Sequence, residues 1–385
     1  MPVLVLLTAS VLLGIVAVYP YTFYPLTLSL FRRQPSLPGF SRPPTATLVF
    51  CAYNEEASIP AKLANLEALR RMCPTMRFAC FIDLSTDRTL DLLRSRSDLL
   101  SVQTTSARTG KASGMARLVA GIETDIVIFT DANVLLDPAC VPALLEYFRD
   151  PKIGGVCGTL LYTNPEASDT TRTSTAYWRL EEKIKALESR SGSTMGADGS
   201  IFATRRSLYP FVPPDLLDDF IVSMSVIFRG LRLVSAPDVR AFETAAVDRT
   251  SELRRRRRIA CRAYLSHRFL WPDVRRLAVK DIYKYVGHKL IRWYGIWFAA
   301  ASASLAAVAV LLAFGGDGAL AIVALGVTCA GLRTAHPLRI GWEVLRQFSA
   351  TGMGMADAWR GRSYRTWEPP ARSQAPSIAS PTILS

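Results

Sequence analysis

Four short clusters of carboxylates and amides hold most of the chemistry this chain could do: Asn54-Glu55, Asp83 with Asp87, Asp131 with Asn133, and the adjacent pair Asp218-Asp219. Each ends an apolar run or opens an amphipathic one, so each belongs at the end of a core element. Carboxylates grouped in this way suit a nucleotide, because an aspartate accepts hydrogen bonds from a base or ribose and a divalent metal bridges the diphosphate. Lys111 follows Gly110 at a predicted helix start, a position that favours phosphate. This is not a P-loop: the spacing Gly-x-x-x-x-Gly-Lys-Ser/Thr is absent, and Ala112 follows the lysine. Each cluster also has a plain structural reading. Asp131 and Asn133 could close a strand end, Asp218-Asp219 could cap a helix, and Asp87 with Ser85 could shape a turn.

The element that positions these groups is the run Ile-Val-Ile-Phe-Thr-Asp-Ala-Asn over residues 126–133. It reads as a buried strand delivering Asp131 to the carboxyl edge of a sheet, where ligands of open α/β sheets bind. Ahead of it the pattern predicts strands over 47–53, 78–82 and 100–104, and helices over 57–72, 89–96 and from Lys111 to about Gly121. That alternation predicts a parallel sheet whose strand ends share one edge, so the first three clusters can share a site. Farther on, the sequence predicts a helix over 138–148, a glycine-bent strand or hairpin over 153–162 and a long amphipathic helix over 170–189. A loop and strand follow over 194–206. Asp218-Asp219 then falls in the first turn of a helix, where the dipole favours negative charge.

The chain has 385 residues, 50% of them hydrophobic, with apolar blocks near both ends. Residues 1–31 are apolar and uncharged up to Arg32-Arg33, and they lack the positive start and cleavage site of a signal peptide, which predicts a retained transmembrane anchor. A Pro/Ser-rich linker follows at 32–46. Residues 263–295 mix Trp and Tyr with Arg and Lys, the composition of amphipathic interfacial helices. Residues 296–334 read as a transmembrane hairpin turning at Gly315–Gly318, and 335–385 as an interfacial segment over 341–358 with a disordered cytoplasmic tail. Basic flanks place the soluble domain, 47–262, in the cytoplasm of a multi-pass protein of the cell inner membrane.

The net charge of +14 lies largely beside the membrane segments and in Arg254–Arg258, with no nucleic-acid-binding module, so nucleic acid is excluded as a partner. Anionic lipid headgroups or a phosphorylated substrate account for it equally well. The seven cysteines are scattered singly, which excludes a zinc or disulfide framework and fits a reducing compartment. His267, His288 and His336 show no ligand spacing.

On these residues the chain resembles the inverting family 2 glycosyltransferases. Ala52-Tyr-Asn-Glu-Glu56 is similar to their first-strand nucleotide motif, Ile82-Asp83-Leu-Ser-Thr-Asp87 to their Asp-Asp-Gly-Ser-Thr-Asp element, and Gly110-Lys111-Ala to their Gly-Lys element. Thr130-Asp131-Ala-Asn133 resembles the Asp-x-Asp motif, the stretch from Gly196 to Ala203 the acceptor-side motif, and Leu217-Asp218-Asp219 the acidic pair. The resemblance runs from about Thr47 to Arg262, and the arrangement of membrane segments is similar to that of exopolysaccharide-type members. It implies a GT-A fold, a Rossmann-like α/β nucleotide-diphospho-sugar transferase domain, with N-terminal and C-terminal transmembrane helices.

The resemblance also implies roles. Asn54, Glu55, Asp83, Lys111 and Asp131 would bind the nucleotide sugar, and Asp131 with Asn133 a divalent cation, Mg²⁺ or Mn²⁺. Asp219, beside Asp218, would be the general base. Asp198 would cap a loop or touch acceptor, and Arg255 and Arg258 would face the product side of an arginine run that otherwise reads as solvated or lipid-facing. The implied reaction transfers a hexosyl or N-acetylhexosaminyl unit to a lipid-linked or glycan acceptor beside membrane lipids. Two departures stand out. Asn133 replaces the last carboxylate of Asp-x-Asp, and Arg255-x-x-Arg258-Ile259 stands where processive synthases carry Gln-x-x-Arg-Trp. The second favours addition of one or a few sugars. The first keeps open a non-catalytic reading, a membrane partner of a polysaccharide synthase that binds nucleotide sugar or glycan.

Overall fold

The chain opens with α1 (Pro2–Val18), an uncharged helix whose Leu4, Val5, Val11 and Leu12 are exposed, and after a 3₁₀ turn continues as α2 (Phe23–Leu28). The computed structural model describes residues 1–34, 44–164, 166–245, 248–331 and 336–368. Most of the predicted linker, the end of the predicted hairpin and the Ser/Pro-rich tail lie outside the described residues.

The expected alternation follows: β1 (Ala46–Ala52), α3 (Ile59–Met72), β2 (Arg77–Ile82), α4 (Thr89–Arg94), β3 (Ser101–Thr104), α5 (Lys111–Ala120) and β4 (Ile126–Thr130). β1 and β4 are buried at every position, as strands covered on both faces must be. On α3, Ile59, Leu63, Leu66 and Leu69 form the buried face that their spacing predicts. α5 lies very close to the sheet, because Gly114 has no side chain to hold it off. A Cβ there would stand 2.9 Å from the Cys51 sulfur and would overlap the Phe81 ring.

The second half adds antiparallel strands to this parallel start. It contains β5 (Leu135–Leu136), α6 (Cys140–Tyr147), β6 (Ile153–Tyr162), α7 (Asp169–Arg190), β7 (Ile201–Arg205), α8 (Asp218–Phe228) and β8 (Arg232–Glu243). The eight strands run in the order β3-β2-β1-β4-β7-β6-β8-β5. The first four are parallel; β7 pairs antiparallel with both β4 and β6, and β5 antiparallel with β8. Two apolar layers cover the sheet, one centred on Phe50, Leu66 and Val156, the other on Phe129, Phe202 and Phe220.

α9 (Arg249–Val274) runs unbroken through the boundary expected at residues 262 and 263. It is followed by α10 (Val279–Tyr285), a π-helical segment (Val286–Leu290), α11 (Ile291–Gly331) and α12 (His336–Trp359). α11 is interrupted at Gly315, where φ is 54° and ψ −127°. The chain doubles back there, since a Cβ on Gly318 would lie 2.7 Å from the carbonyl oxygen of Val310. Two stretches, Pro2–Tyr21 and Val279–Gly331, are long and apolar enough to cross a membrane by length and composition. They meet through Ser10 and Ser302, each hydroxyl donating to the other's carbonyl oxygen at 2.8 and 2.7 Å.

The segment expected to be only interfacial is α12, and it packs on α9. Gly354 touches Ala260, where a Cβ would stand 2.8 Å from the alanine methyl. The fully buried Asp357 accepts two hydrogen bonds from Arg257, at 2.5 and 2.7 Å, and others from Arg362 and Tyr364.

Candidate active site

The carboxyl edge of β1 and β4 faces α7, α9 and α12 across a cavity of about 1550 Å³. The cavity brings together nine of the residues expected at a site: Glu55, Lys111, Asp131, Asn133, Asp198, Asp218, Asp219, Arg255 and Arg258. Its centre is marked by Gly199. A Cβ on that glycine would stand 2.9 Å from Lys111 Nζ, 3.3 Å from Asp219 Oδ2 and 3.7 Å from Asp131 Oδ2. Lys111 Nζ donates to Asp131 Oδ1 at 2.6 Å. One ammonium and carboxylates from two elements far apart in sequence thus surround a single small space.

The electrostatics of this group follow from its crowding. Burial, and then the charge of Asp218, push the Asp219 carboxyl up to about 7, while Lys111 pulls it the other way. Burial alone would depress the Lys111 ammonium; Asp131, Asp218 and Asp219 outweigh it and hold the ammonium well above its ordinary value. Asp219 therefore titrates near neutrality beside a lysine fixed in the charged state.

The far wall is basic and acidic by turns. Asp198 pairs with Lys185 at 2.9 Å and accepts from Ser200 N at 3.1 Å, so it is held by charge as well as by a turn. Arg255 lies 3.4 Å from Glu252. Arg258 has no carboxylate partner among the described residues, and burial with the nearby Arg262 and Arg255 guanidinia lowers it to about 10. A cation depressed by other cations is a ready partner for an anion.

Two residues expected at the nucleotide make hydrogen bonds to neighbouring loops. The Asp83 side chain is fully buried and does not line the cavity. It accepts from Thr109 N (2.7 Å), Gly110 N (3.1 Å) and Arg108 Nε (3.1 Å), so it shapes the loop that presents Lys111. Asn54 adopts a left-handed φ of 51°, and its Oδ1 accepts from Thr86 N at 2.8 Å, binding the first-strand loop to the one after β2. Asp87 likewise holds the backbone N–H groups of Glu56 and Thr89, which is the turn-shaping role. Glu55 faces the cavity while accepting from Ser58 Oγ at 2.9 Å.

Some contributors were not visible in the sequence. Lys62, fully buried, donates to the carbonyl oxygens of Asp131 (3.1 Å) and Val134 (2.6 Å), and Asn65 makes two bonds to the backbone of Leu136. These α3 residues pin the strand end that carries Asp131 and Asn133. Burial lowers the Lys62 ammonium to about 7. Glu243, at the end of β8, accepts from Asn133 Nδ2 at 2.8 Å and brings a carboxylate beside the position where Asn133 lacks one. Away from the cavity, His288 lies fully buried between Glu181 (2.9 Å) and Glu188 (3.0 Å), and Glu188 also accepts from Tyr24 of α2.

A divalent cation would find few oxygens here without its substrate. Among the described residues no group of three His, Cys, Asp or Glu side chains could hold a metal. Asp131, partly exposed, and the Asn133 amide beside Glu243 are hard oxygen donors suited to Mg²⁺ or Mn²⁺ when diphosphate oxygens complete the shell.

Comparison with known proteins agrees with this architecture. A mannosyltransferase from Pyrobaculum calidifontis, solved in complex with GDP-Man and Mn²⁺, superposes with a TM-score of 0.72 at 19% identity over 93% of this chain and 99% of that one, a likeness of fold. An N-acetylglucosaminyltransferase of Azorhizobium caulinodans is 30% identical over 99 residues, 26% of this chain and 25% of that protein. The match thus spans about a quarter of the relative's length. Residues 47–210 match glycosyl transferase family 2, the stretch that runs from β1 past β7 and holds Lys111, Asp131 and Asp198. The family match thus covers the core of the GT-A fold, residues 47–210, and the likeness of fold extends over nearly the whole chain.

Proposed function

We propose that the protein is an inverting glycosyltransferase that moves a hexosyl or N-acetylhexosaminyl unit from a nucleotide-diphospho-sugar to a lipid-linked or glycan acceptor. It would work at the cytoplasmic face of the inner membrane, in cell-envelope or exopolysaccharide synthesis. The observation that carries this reading is the convergence of Lys111, Asp131 and Asp219 around Gly199. The cavity supports it too, since about 1550 Å³ exceeds what one small ligand needs and leaves room for donor and acceptor together. The Pyrobaculum protein's GDP-Man and Mn²⁺ support a nucleotide sugar with a divalent cation. The two apolar stretches support a membrane setting.

In this mechanism Asp219 takes the proton of an acceptor hydroxyl as that oxygen bonds to the anomeric carbon. The bond from that carbon to the diphosphate breaks in the same displacement, and the electron pair leaves with the nucleoside diphosphate. A base titrating near 7 is matched to that task. Lys111 neutralises charge on the departing diphosphate, and Arg258 offers a second cation for phosphate on the acceptor or product side. When bound, a divalent cation held by Asp131 and Asn133 adds Lewis-acid stabilisation of the leaving group. One displacement inverts the anomeric centre.

The non-catalytic reading draws on Asn133, but it leaves a carboxylate poised beside a charged lysine without a role. The deciding experiment measures nucleoside diphosphate release by membranes containing the protein, across a panel of nucleotide sugars with Mg²⁺ or Mn²⁺, beside Asp219→Asn. Donor-specific release that disappears in the variant supports transfer. Donor binding without release in the wild type would favour the non-catalytic partner.

A further inference from the structure

Part of the cavity wall comes from helices outside the sheet: Tyr21 follows α1, Lys289 and Arg292 flank the start of α11, and Val344 and Phe348 belong to α12. Arg292 is more than nine-tenths buried. Its Nη1 donates to Glu181 and, at 3.2 Å, to Tyr177 Oη. Its Nε and Nη2 have no hydrogen-bond partner among the described residues. The Tyr21 and Tyr177 rings, 5.3 and 5.5 Å from the guanidinium, attract its charge, but their faces offer those two donors no oxygen. Buried charged donors left empty are costly, so an arginine kept in this state calls for an acceptor that arrives from the cavity.

The local charge points the same way. Glu181 accepts from Arg292 and, at 3.2 Å, from Lys289, so one carboxylate serves two permanent cations and also meets His288 at 2.9 Å. Across the cavity Glu252 is shared by Arg255 and Arg256 and is likewise outnumbered. Water could meet the open donors but not the surplus charge. The complement is an anion whose oxygens take two N–H bonds from one guanidinium, which is the geometry of a phosphate.

The surroundings say what carries that phosphate. Ile340 and Val344 of α12 are exposed and line the same chamber, and Phe348 packs edge to face on Tyr21 at 5.6 Å. Just beyond Arg292, α11 carries no charge from Gly295 to Gly316. An apolar chain can lie against these side chains while its phosphate reaches the guanidinium. The same wall leads to the base. Phe220 follows Asp219, Trp293 follows Arg292, and the two rings meet edge to face at 5.8 Å. The Lys289 stem runs beside Gly196 of the loop before β7, where a Cβ would stand 3.8 Å from its Cε.

Resting on the glycosyl-transfer reading above, we propose that Arg292 and Lys289 form a phosphate site for the acceptor, and that the acceptor is a sugar carried on a lipid phosphate or diphosphate rather than a free glycan. The lipid chain lies along α12 and the start of α11, the phosphate fills Nε and Nη2 of Arg292, and the sugar presents its hydroxyl to Asp219.

The test uses the full chain in dodecyl maltoside with three probes, farnesyl diphosphate, inorganic diphosphate and farnesol. Each is titrated calorimetrically into the wild type, Arg292→Gln, Lys289→Gln and Lys111→Met, with circular dichroism to check folding. The wild type should bind farnesyl diphosphate at least ten-fold more tightly than either other probe. Arg292→Gln and Lys289→Gln should each weaken that binding ten-fold or more, and Lys111→Met should leave it intact. Lys289 is the less buried of the two cations, so its variant decides the matter if Arg292→Gln does not fold. Inorganic diphosphate bound as tightly overturns the lipid-borne acceptor in favour of a soluble phosphate. Farnesol bound as tightly, or binding unchanged in folded Lys289→Gln, overturns the phosphate site. Loss confined to Lys111→Met puts the diphosphate in the donor site and overturns it too. No arm contains a nucleotide, so the nucleotide-sugar reading stands or falls separately, on the donor panel.

Discussion

Lys111 Nζ stands 2.6 Å from Asp131 Oδ1, although the two residues reach the site from different sides, one at the start of α5 and one at the end of β4. The pair places positive charge where a leaving diphosphate would gather negative charge. Lys111→Met should lower kcat by about a hundred-fold, the usual scale for losing one preorganised charge at a developing anion. Steady-state kinetics with the donor found by the panel measures this. A loss below about three-fold would remove Lys111 from the reaction.

The Asp219 carboxyl, raised to about 7, sets a pH prediction. The base works only when deprotonated, so kcat/KM should rise with pH up to about 7 and then level off. Asp218→Asn removes a negative neighbour, favours the ionised form of Asp219 and should move the rise to lower pH. Lys111→Met removes a positive neighbour and should move it to higher pH. Coincident profiles for all three proteins would place the titrating group elsewhere.

Chelation supplies a third test. EDTA should abolish nucleoside diphosphate release, and added Mn²⁺ or Mg²⁺ should restore it. Asp131→Ala should need at least ten-fold more cation for half-restoration, with Mn²⁺ binding in the presence of nucleotide followed by electron paramagnetic resonance. Full activity in EDTA would show that the cationic side chains suffice.

Gly199→Ala separates position from chemistry. Its methyl would stand 2.9 Å from Lys111 Nζ, a contact that must push the ammonium aside. Displacements of about 1 Å at such a centre cost up to a hundred-fold in rate. The variant should lose at least ten-fold in kcat and keep its melting temperature, measured by differential scanning fluorimetry.

The buried Asp357 predicts a stability effect instead. Asp357→Asn leaves the Arg257 and Arg362 guanidinia without a counter-charge and weakens the join between α9 and α12. Both arginines are partly solvated, so a loss of about 2 kcal/mol is expected, below the range for a wholly buried pair. Chemical denaturation in detergent would show it.

The run from β1 to β4 was legible because its apolar strands alternate with helices of clear periodicity. β5 was not, being two residues long, and β8 was not, because its exposed Pro237, Asp238 and Arg240 break the apolar pattern. The acidic pair and the Gly-Lys start were placed well by local grammar alone. The loop-shaping bonds of Asp83 and Asn54 were not legible, because strand-end residues look alike in sequence whether or not the N–H groups of Thr86, Thr109 and Gly110 lie in reach. Lys62 reads as a surface lysine on an amphipathic helix, and nothing local shows that carbonyls await it. His288 had a faint signal in Glu181 and Glu188, seven residues apart on one helix and so on one face.

Gly114 has a consequence for how this domain can change. The height of Lys111 above the sheet is set three residues along by a contact between backbone, the Phe81 ring and the Cys51 sulfur, none of which needs to touch substrate. Any larger side chain would tilt the helix and carry the ammonium with it. In a saturation library screened for turnover, position 114 should therefore be as intolerant as the acidic residues themselves. A drifting lineage could trade Phe81 for a smaller residue first, and only then admit alanine.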